Sequence, residues 1–277
     1  MNAIEITGLE KRFPGFDLKL NLTLPQGCIL GLIGENGAGK TTTIKALLGM
    51  TRPDAGQICL LGEDAATAPA TLRERIGVVL DEPGYPECLT AAQLGKVMAG
   101  IYRNWDAAAY ARQLQTLSIP ADKTFRELSR GMKMKLAIAV ALSHRAELLI
   151  LDEPTSGLDP LVRDEVVSMF SDFTREENHA VLISSHIVSD LEKLCDYIAF
   201  LHKGRLLLME EKDALRERYG LAQLSRADFA VLDKAAVLGS RSTPYGVSAI
   251  VRREAVPGLH TEPVSIEDLF VVMAKEA

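Results

Sequence analysis

The stretch Gly34-Glu35-Asn36-Gly37-Ala38-Gly39-Lys40-Thr41 constrains this chain more than any other. It fits G-x-x-x-x-G-K-[ST] at every fixed position. Ahead of it, Ile29-Leu30-Gly31-Leu32-Ile33 reads as a buried strand, and Thr42-Thr43-Ile44-Lys45-Ala46-Leu47-Leu48 reads as the start of a helix. Strand, loop and helix are the context in which such a loop wraps an anion. Its glycines carry no Cβ and tolerate positive φ. The loop N–H groups and the helix N-terminus, Thr42 included, then point at phosphates. Lys40 suits β- and γ-phosphates, and the Thr41 hydroxyl suits Mg²⁺. The expected fold class is α/β.

A second feature complements the first. Leu148-Leu149-Ile150-Leu151-Asp152-Glu153 is an apolar strand ending in two carboxylates. Asp152 can hold Mg²⁺, directly or through water. Glu153 can orient an attacking water or accept its proton. Four aliphatics followed by Asp are common in α/β chains, so this reading takes its weight from the loop at Gly34–Thr41. Val181-Leu182-Ile183-Ser184-Ser185-His186 is a further apolar strand with a polar end. His186 then lies where open α/β sheets place ligands, in reach of a γ-phosphate.

Between these landmarks, residues 3–8 and 17–24 alternate as strands, with a turn near Pro14-Gly15 between them. Phe13 and Phe16, just ahead of the loop, suit either core packing or stacking on a nucleobase. Gln57–Gly62 and Ile76–Leu80 read as strands, the latter ending at Asp81-Glu82-Pro83-Gly84, where carboxylates can meet a metal. Residues 90–118 take on helical periodicity. Thr90 is the expected cap, Leu94, Val97, Met98 and Ile101 the expected apolar stripe, and a second helix should start near Trp105-Asp106. Residues 83–145 are therefore expected as a helical insertion in an α/β core. Ser129 caps the next helix, with Gly131 just inside it; taken alone this reads first as an ordinary capped helix and second as an anion site. Further on, Ile198–Met209 is expected as a closing hairpin, Glu210–Tyr219 as a helix ended by Gly220, Phe229–Leu232 and Gly246–Val251 as strands, and Ser265–Met273 as a capped helix.

Composition removes several classes. A net charge of −6 leaves no footprint for nucleic acid. No apolar run approaches the ~18 residues a membrane-spanning helix needs. No basic segment followed by an apolar run opens the chain, so no signal peptide is expected. Cys28, Cys59, Cys88 and Cys195 are scattered without a C-x-x-C, as in a reducing compartment. A cytoplasmic protein is expected.

In order, the pieces are the loop, an acidic strand end, a helical insertion, Leu128-Ser129-Arg130-Gly131-Met132, the Asp152-Glu153 strand, Ser156-Gly157-Leu158-Asp159 and Ser184-Ser185-His186. Over about residues 3–215 this order resembles the ATP-binding subunit of an ABC transporter. The resemblance implies a P-loop NTPase with a RecA-like core, an antiparallel β subdomain and the helical insertion. It divides the chain into an ATPase domain at 1–220 and a small α+β extension at 221–277. Gly34–Thr41 match the Walker A motif, Asp152 the Walker B aspartate, Glu153 the catalytic glutamate and Leu128–Met132 the signature. Ser156–Asp159 match the D-loop, His186 the switch histidine and Phe13 the adenine-stacking aromatic.

ATP and Mg²⁺ are the implied ligands. The implied partners are a second ATPase subunit, paired head to tail, and separate permease subunits on the inner face of the cell membrane. Ser129 and Gly131 of one subunit would then cover ATP bound by the other. Arg130 and Met132 depart from the usual L-S-G-G-Q, and Asp81 stands where the family has a glutamine. That aspartate can still offer an oxygen to Mg²⁺. The V-L-D-E-P-G and L-S-R-G-M pattern resembles the ABC-2-type export branch. The competing class, a soluble ABC-type factor acting on ribosomes or nucleic acid, is disfavoured by the single P-loop and the negative charge.

Overall fold

The computed structural model describes residues 1–276. The chain begins with a hairpin, β1 (Asn2–Phe13) and β2 (Phe16–Pro25), turning at Pro14-Gly15 with Gly15 at φ 81°. β1 runs past the expected end at residue 8, because after a bulge between Ile6 and Leu9 the pairing resumes with Leu9 buried and continues to Phe13↔Phe16. Next come β3 (Ile29–Ile33), α1 (Lys40–Leu47), β4 (Ala55–Leu60), β5 (Glu63–Asp64), α2 (Ala70–Glu74) and β6 (Ile76–Val79). Helices α3 (Ala91–Ile101), α4 (Ala107–Thr116) and α5 (Arg130–Ala141) separate β6 from β7 (Leu148–Asp152). Then follow α6 (Pro160–Phe173), β8 (Ala180–Ser185), α7 (Val188–Leu194), β9 (Tyr197–His202), β10 (Arg205–Glu211) and α8 (Lys212–Arg218). The chain closes with β11 (Tyr219–Leu224), α9 (Arg226–Val231), β12 (Val237–Thr243), β13 (Gly246–Arg252), β14 (Glu262–Pro263) and α10 (Ile266–Glu276).

Ten strands form one sheet in the order β5-β4-β1-β2-β10-β9-β3-β8-β7-β6. The β9-β3-β8-β7-β6 half is parallel, and the β5-β4-β1-β2 half is antiparallel. The parallel strands are apolar throughout because both faces are covered. Their alternation sorts side chains to two cores. Ile29, Leu149, Leu151, Val181 and Ile183 face the helical insertion and α6–α7. Leu30, Leu32, Leu148, Ile150 and Leu182 face α1 and the hairpin. The register sets Asp152 beside Ser184 and Ile33 beside Ser185, so the carboxyl ends of β3, β7 and β8 meet at one edge.

The insertion is anchored by caps and one buried hydroxyl. Thr90 caps α3 in a reciprocal box with Gln93, and Asp106 caps α4. The Tyr110 hydroxyl donates to the Ala91 carbonyl at 2.8 Å, and Gly95 leaves room for its ring, since a Cβ there would sit 2.5 Å from Cε1. Of the expected stripe, Leu94 is buried and Met98 packs on the core, but Val97 and Ile101 are exposed. The helix therefore presents a narrower face to its neighbours than its composition implied.

Two further expectations change at the end of the chain. Gly220 does not end α8; it lies within β11, paired with Val251 and Pro263, where a Cβ would meet Thr261 Oγ1 at 2.6 Å. Residues 226–231 form α9, not a strand, because Ser225 caps Asp228 and no side chain of the segment is buried to reward pairing. The four-stranded sheet β12-β13-β11-β14 and α10 follow. Ile250, Val264, Ile266 and Leu269 join the same core as Leu191 and Phe200, and Phe270 meets the Phe200 ring at 5.3 Å. No described helix is long and apolar enough to cross a membrane.

Candidate nucleotide site

The loop between β3 and α1 is built by close approaches. A Cβ on Gly34 would lie 2.6 Å from the Leu201 carbonyl oxygen. Gly39, at φ 112°, caps α1, and a Cβ there would strike Leu18 and Phe16. Only glycine meets both demands. Lys40 is 6% exposed and curls back: its Nζ donates to the Gly34 carbonyl at 2.6 Å and approaches the Glu35 carbonyl at 3.4 Å. The first N–H groups of α1 have no acceptors within the helix and point out of the loop, as at any helix start.

Across the sheet edge, Asp152 is 1% exposed and accepts the Ser184 hydroxyl at 2.5 Å. Glu153 follows in a left-handed conformation, φ 51°. Such a conformation is uncommon for a residue with a side chain and costs about 1–3 kcal/mol. It is held by the Glu153 N–H, which donates to the Ser184 carbonyl at 3.1 Å and to Ser184 Oγ at 3.2 Å. The turn aims the carboxylate inward. Glu153 Oε1 lies 3.4 Å from Lys40 Nζ, and Oε2 lies 2.6 Å from His186 Nδ1 and accepts the His186 N–H at 3.2 Å. The structure thus brings Lys40, Asp152, Glu153 and His186 together around Ser184. Sequence reasoning passed over Ser184; only strand register puts it opposite Asp152.

The two phenylalanines separate. Phe16 packs beside Gly39 and the core, whereas Phe13 is 41% exposed. A cleft of about 600 Å³ joins both rings to Glu35, Asn36 and Gly37, with Lys203 and Arg205 of the β9–β10 hairpin on its wall. Its size suits a nucleoside, and the exposed Phe13 ring is the face available for stacking. His202 Nδ1, buried at the end of β9, lies 2.9 Å from Glu35 Oε1, though without hydrogen-bond geometry.

The signature segment faces elsewhere. Ser129 Oγ accepts the Met132 N–H, and Gly131 lies over Gly157 and Leu158. No hydrogen bond or ion pair among the described residues joins Ser129 or Gly131 to residues 34–42. Asp81, expected near a metal, instead meets Arg130 at 2.9 Å, and no such contact links it to Thr41 or Asp152. No cluster of three His, Cys, Asp or Glu among the described residues forms a cation cage. One buried carboxylate and a loop hydroxyl fit a Mg²⁺ ion that shares its coordination with phosphate oxygens, which is how that ion is commonly held.

Residues 18–156 match the ABC transporter family. Over 219 residues the chain is 39% identical to the bacitracin transport ATP-binding protein BcrA of Bacillus licheniformis, covering 77% of this chain and 71% of that one. The chain belongs to the ABC transporter family. The fluoroquinolones export ATP-binding protein of Mycobacterium tuberculosis is 30% identical over 282 residues, 97% of this chain and 92% of its own length. The solved structure of an ATP-binding subunit of an ABC transporter superposes with TM-score 0.70 at 29% identity, over 77% of this chain and 92% of that one. This ABC protein is thus an ATP-binding and ATP-hydrolysing transport subunit with the P-loop NTPase fold.

Proposed function

We propose that this ABC ATPase drives an export permease, with Glu153 as the group that activates water. The observation that carries this is the position of Glu153. It is turned by its left-handed backbone to lie between Lys40 and His186, at the strand end next to the phosphate loop. Lys40 and the N–H groups of residues 37–42 hold the β- and γ-phosphates. Phe13 stacks on the base. Thr41 and Asp152 hold Mg²⁺, which neutralises charge on the phosphate oxygens when bound. His186 senses the γ-phosphate and orients Glu153. The fluoroquinolones export ATP-binding protein above supports the direction of transport.

Two chains pair head to tail in this reading. Gly131 lies over the D-loop and Ser129 caps its own helix, neither bonded to the phosphate loop of the same chain, which leaves them to cover the nucleotide of a second subunit. Residues 1–220 act as the motor, and 221–277 are an appended unit. The permease, on the inner face of the cell membrane, inserts a short helix beside the insertion. The apolar cavity of about 300 Å³ lined by Leu47, Leu48, Met50, Leu72, Leu80 and Tyr102 suits it.

The test is Glu153→Gln. ATP binding should persist, turnover should fall by at least ~10²-fold, and an ATP-bound dimer should accumulate on size exclusion. Wild-type turnover in that variant removes Glu153 from its role.

A further inference from the structure

Asp81 and Arg130 each depart from the pattern of the family, and the fold brings them together. Asp81 follows β6; Arg130 is the first residue of α5, between Ser129 and Gly131. Forty-nine residues separate them, yet Arg130 Nη2 donates to Asp81 Oδ1 at 2.9 Å. The stem of Arg130 also lies over the D-loop, where a Cβ on Gly157 would be 3.7 Å from its Cδ. We propose that Asp81 and Arg130 are a matched positioning pair, which ties the start of the signature helix to the segment that follows β6, the neighbour of the Asp152 strand. Arg130 touches no nucleotide of its own site; it sets the angle at which Ser129 and Gly131 are offered to the second subunit. The Asp81 carboxylate is committed to the guanidinium rather than to the metal. This rests on the head-to-tail reading above.

The physical argument is one of charge and reach. A glutamine at position 81 would bring no charge, and a glycine at 130 would bring no cation. An aspartate alone would leave an unmatched anion after β6, and an arginine alone would leave an unmatched cation on the helix start. Together they cancel, and the planar guanidinium spans the gap that neither backbone crosses. Arg130 is 63% and Asp81 45% exposed, so the tie is weak and screened by salt. A weak tie suits an element that must move when two subunits close.

The experiment is a double-mutant cycle on the full chain with Asp81→Asn, Arg130→Ala and both. Amide exchange of residues 129–135 is measured without nucleotide, and kcat, ATP affinity and the Mg²⁺ half-saturation are measured with it. Each single change should speed exchange and lower kcat by about two- to five-fold at low salt, the range for an exposed pair. The double variant should be no worse than either single one. Mg²⁺ half-saturation should not move, and Arg130→Lys should recover part of the loss. Additive single effects overturn the pair. So does a raised Mg²⁺ requirement confined to Asp81→Asn, which would make Asp81 a metal ligand. Lys40→Ala, run in parallel, separates failure of the ATPase assignment from failure of the pair.

Discussion

Ser184 shows how much one hydroxyl does at the residue scale. It satisfies the buried Asp152 carboxylate, and its backbone and side-chain oxygens both receive the strained Glu153 N–H. Ser184→Ala leaves a buried carboxylate oxygen short of a donor, a loss of about 1–3 kcal/mol. The urea midpoint should fall accordingly; an unchanged midpoint would show that water replaces the hydroxyl. His144 gives a pH signature. It is 1% exposed, lies 3.0 Å from the Glu74 carbonyl through Nδ1 and stacks on Tyr102 at 4.0 Å. Burial pulls its pKa below the ordinary 6.5. The unfolded chain therefore takes up the proton first as pH falls. The stability supplied by the neutral ring is complete above 6.5 and is lost as pH drops through the lowered value. Thermal melts between about pH 7.5 and pH 5.5 should show a slope that His144→Gln flattens.

At the scale of elements, the insertion and the sheet meet through glycine. α5 crosses β6 at Gly77, where a Cβ would sit 2.5 Å from Leu149 Cδ2 and 2.9 Å from the Ala141 carbonyl. The carbonyl belongs to helix backbone and cannot give way. Gly77→Ala should cost about 1–3 kcal/mol, read as a lower denaturation midpoint with no change in the slope. The strand was legible at Ile76–Leu80 from its apolar run. The need for glycine within it was not, because the neighbours that crowd it come from residues 141 and 149. The same reason explains the misread tail. A strand and a short helix compete over residues 226–231, and the Ser225 cap together with the lack of buried side chains decides for the helix.

At the scale of the molecule, the cleft beside Phe13 and Gly37 lies at the phosphate loop, and a separate apolar cavity lies near the start of the insertion. The cavity is by the C-terminus of α1, which begins in the phosphate loop. Movement of the loop can therefore reach the cavity through a single helix. Met50, 59% exposed at the rim, tests the docking reading. Met50→Glu should abolish copurification with a multi-helix membrane protein and the rise in ATP turnover it brings. Retained copurification would move the docking surface elsewhere.

The local motifs were legible from sequence alone because they are local. The phosphate loop, its strand and helix, the acidic strand end, the Thr90, Ser129 and Ser265 caps and the β9–β10 hairpin each lie within a few residues. There backbone freedom, capping and alternation act at short range. Contacts between distant segments were decided only by tertiary structure. Ser184 beside Asp152 depends on strand register, while Glu153 between Lys40 and His186, and Arg130 on Asp81, depend on how helices and strand ends from distant parts of the chain pack together. A one-residue slip of β8 against β7 would turn Ser184 to the opposite face, and no spacing along the chain records which register the packed core selects.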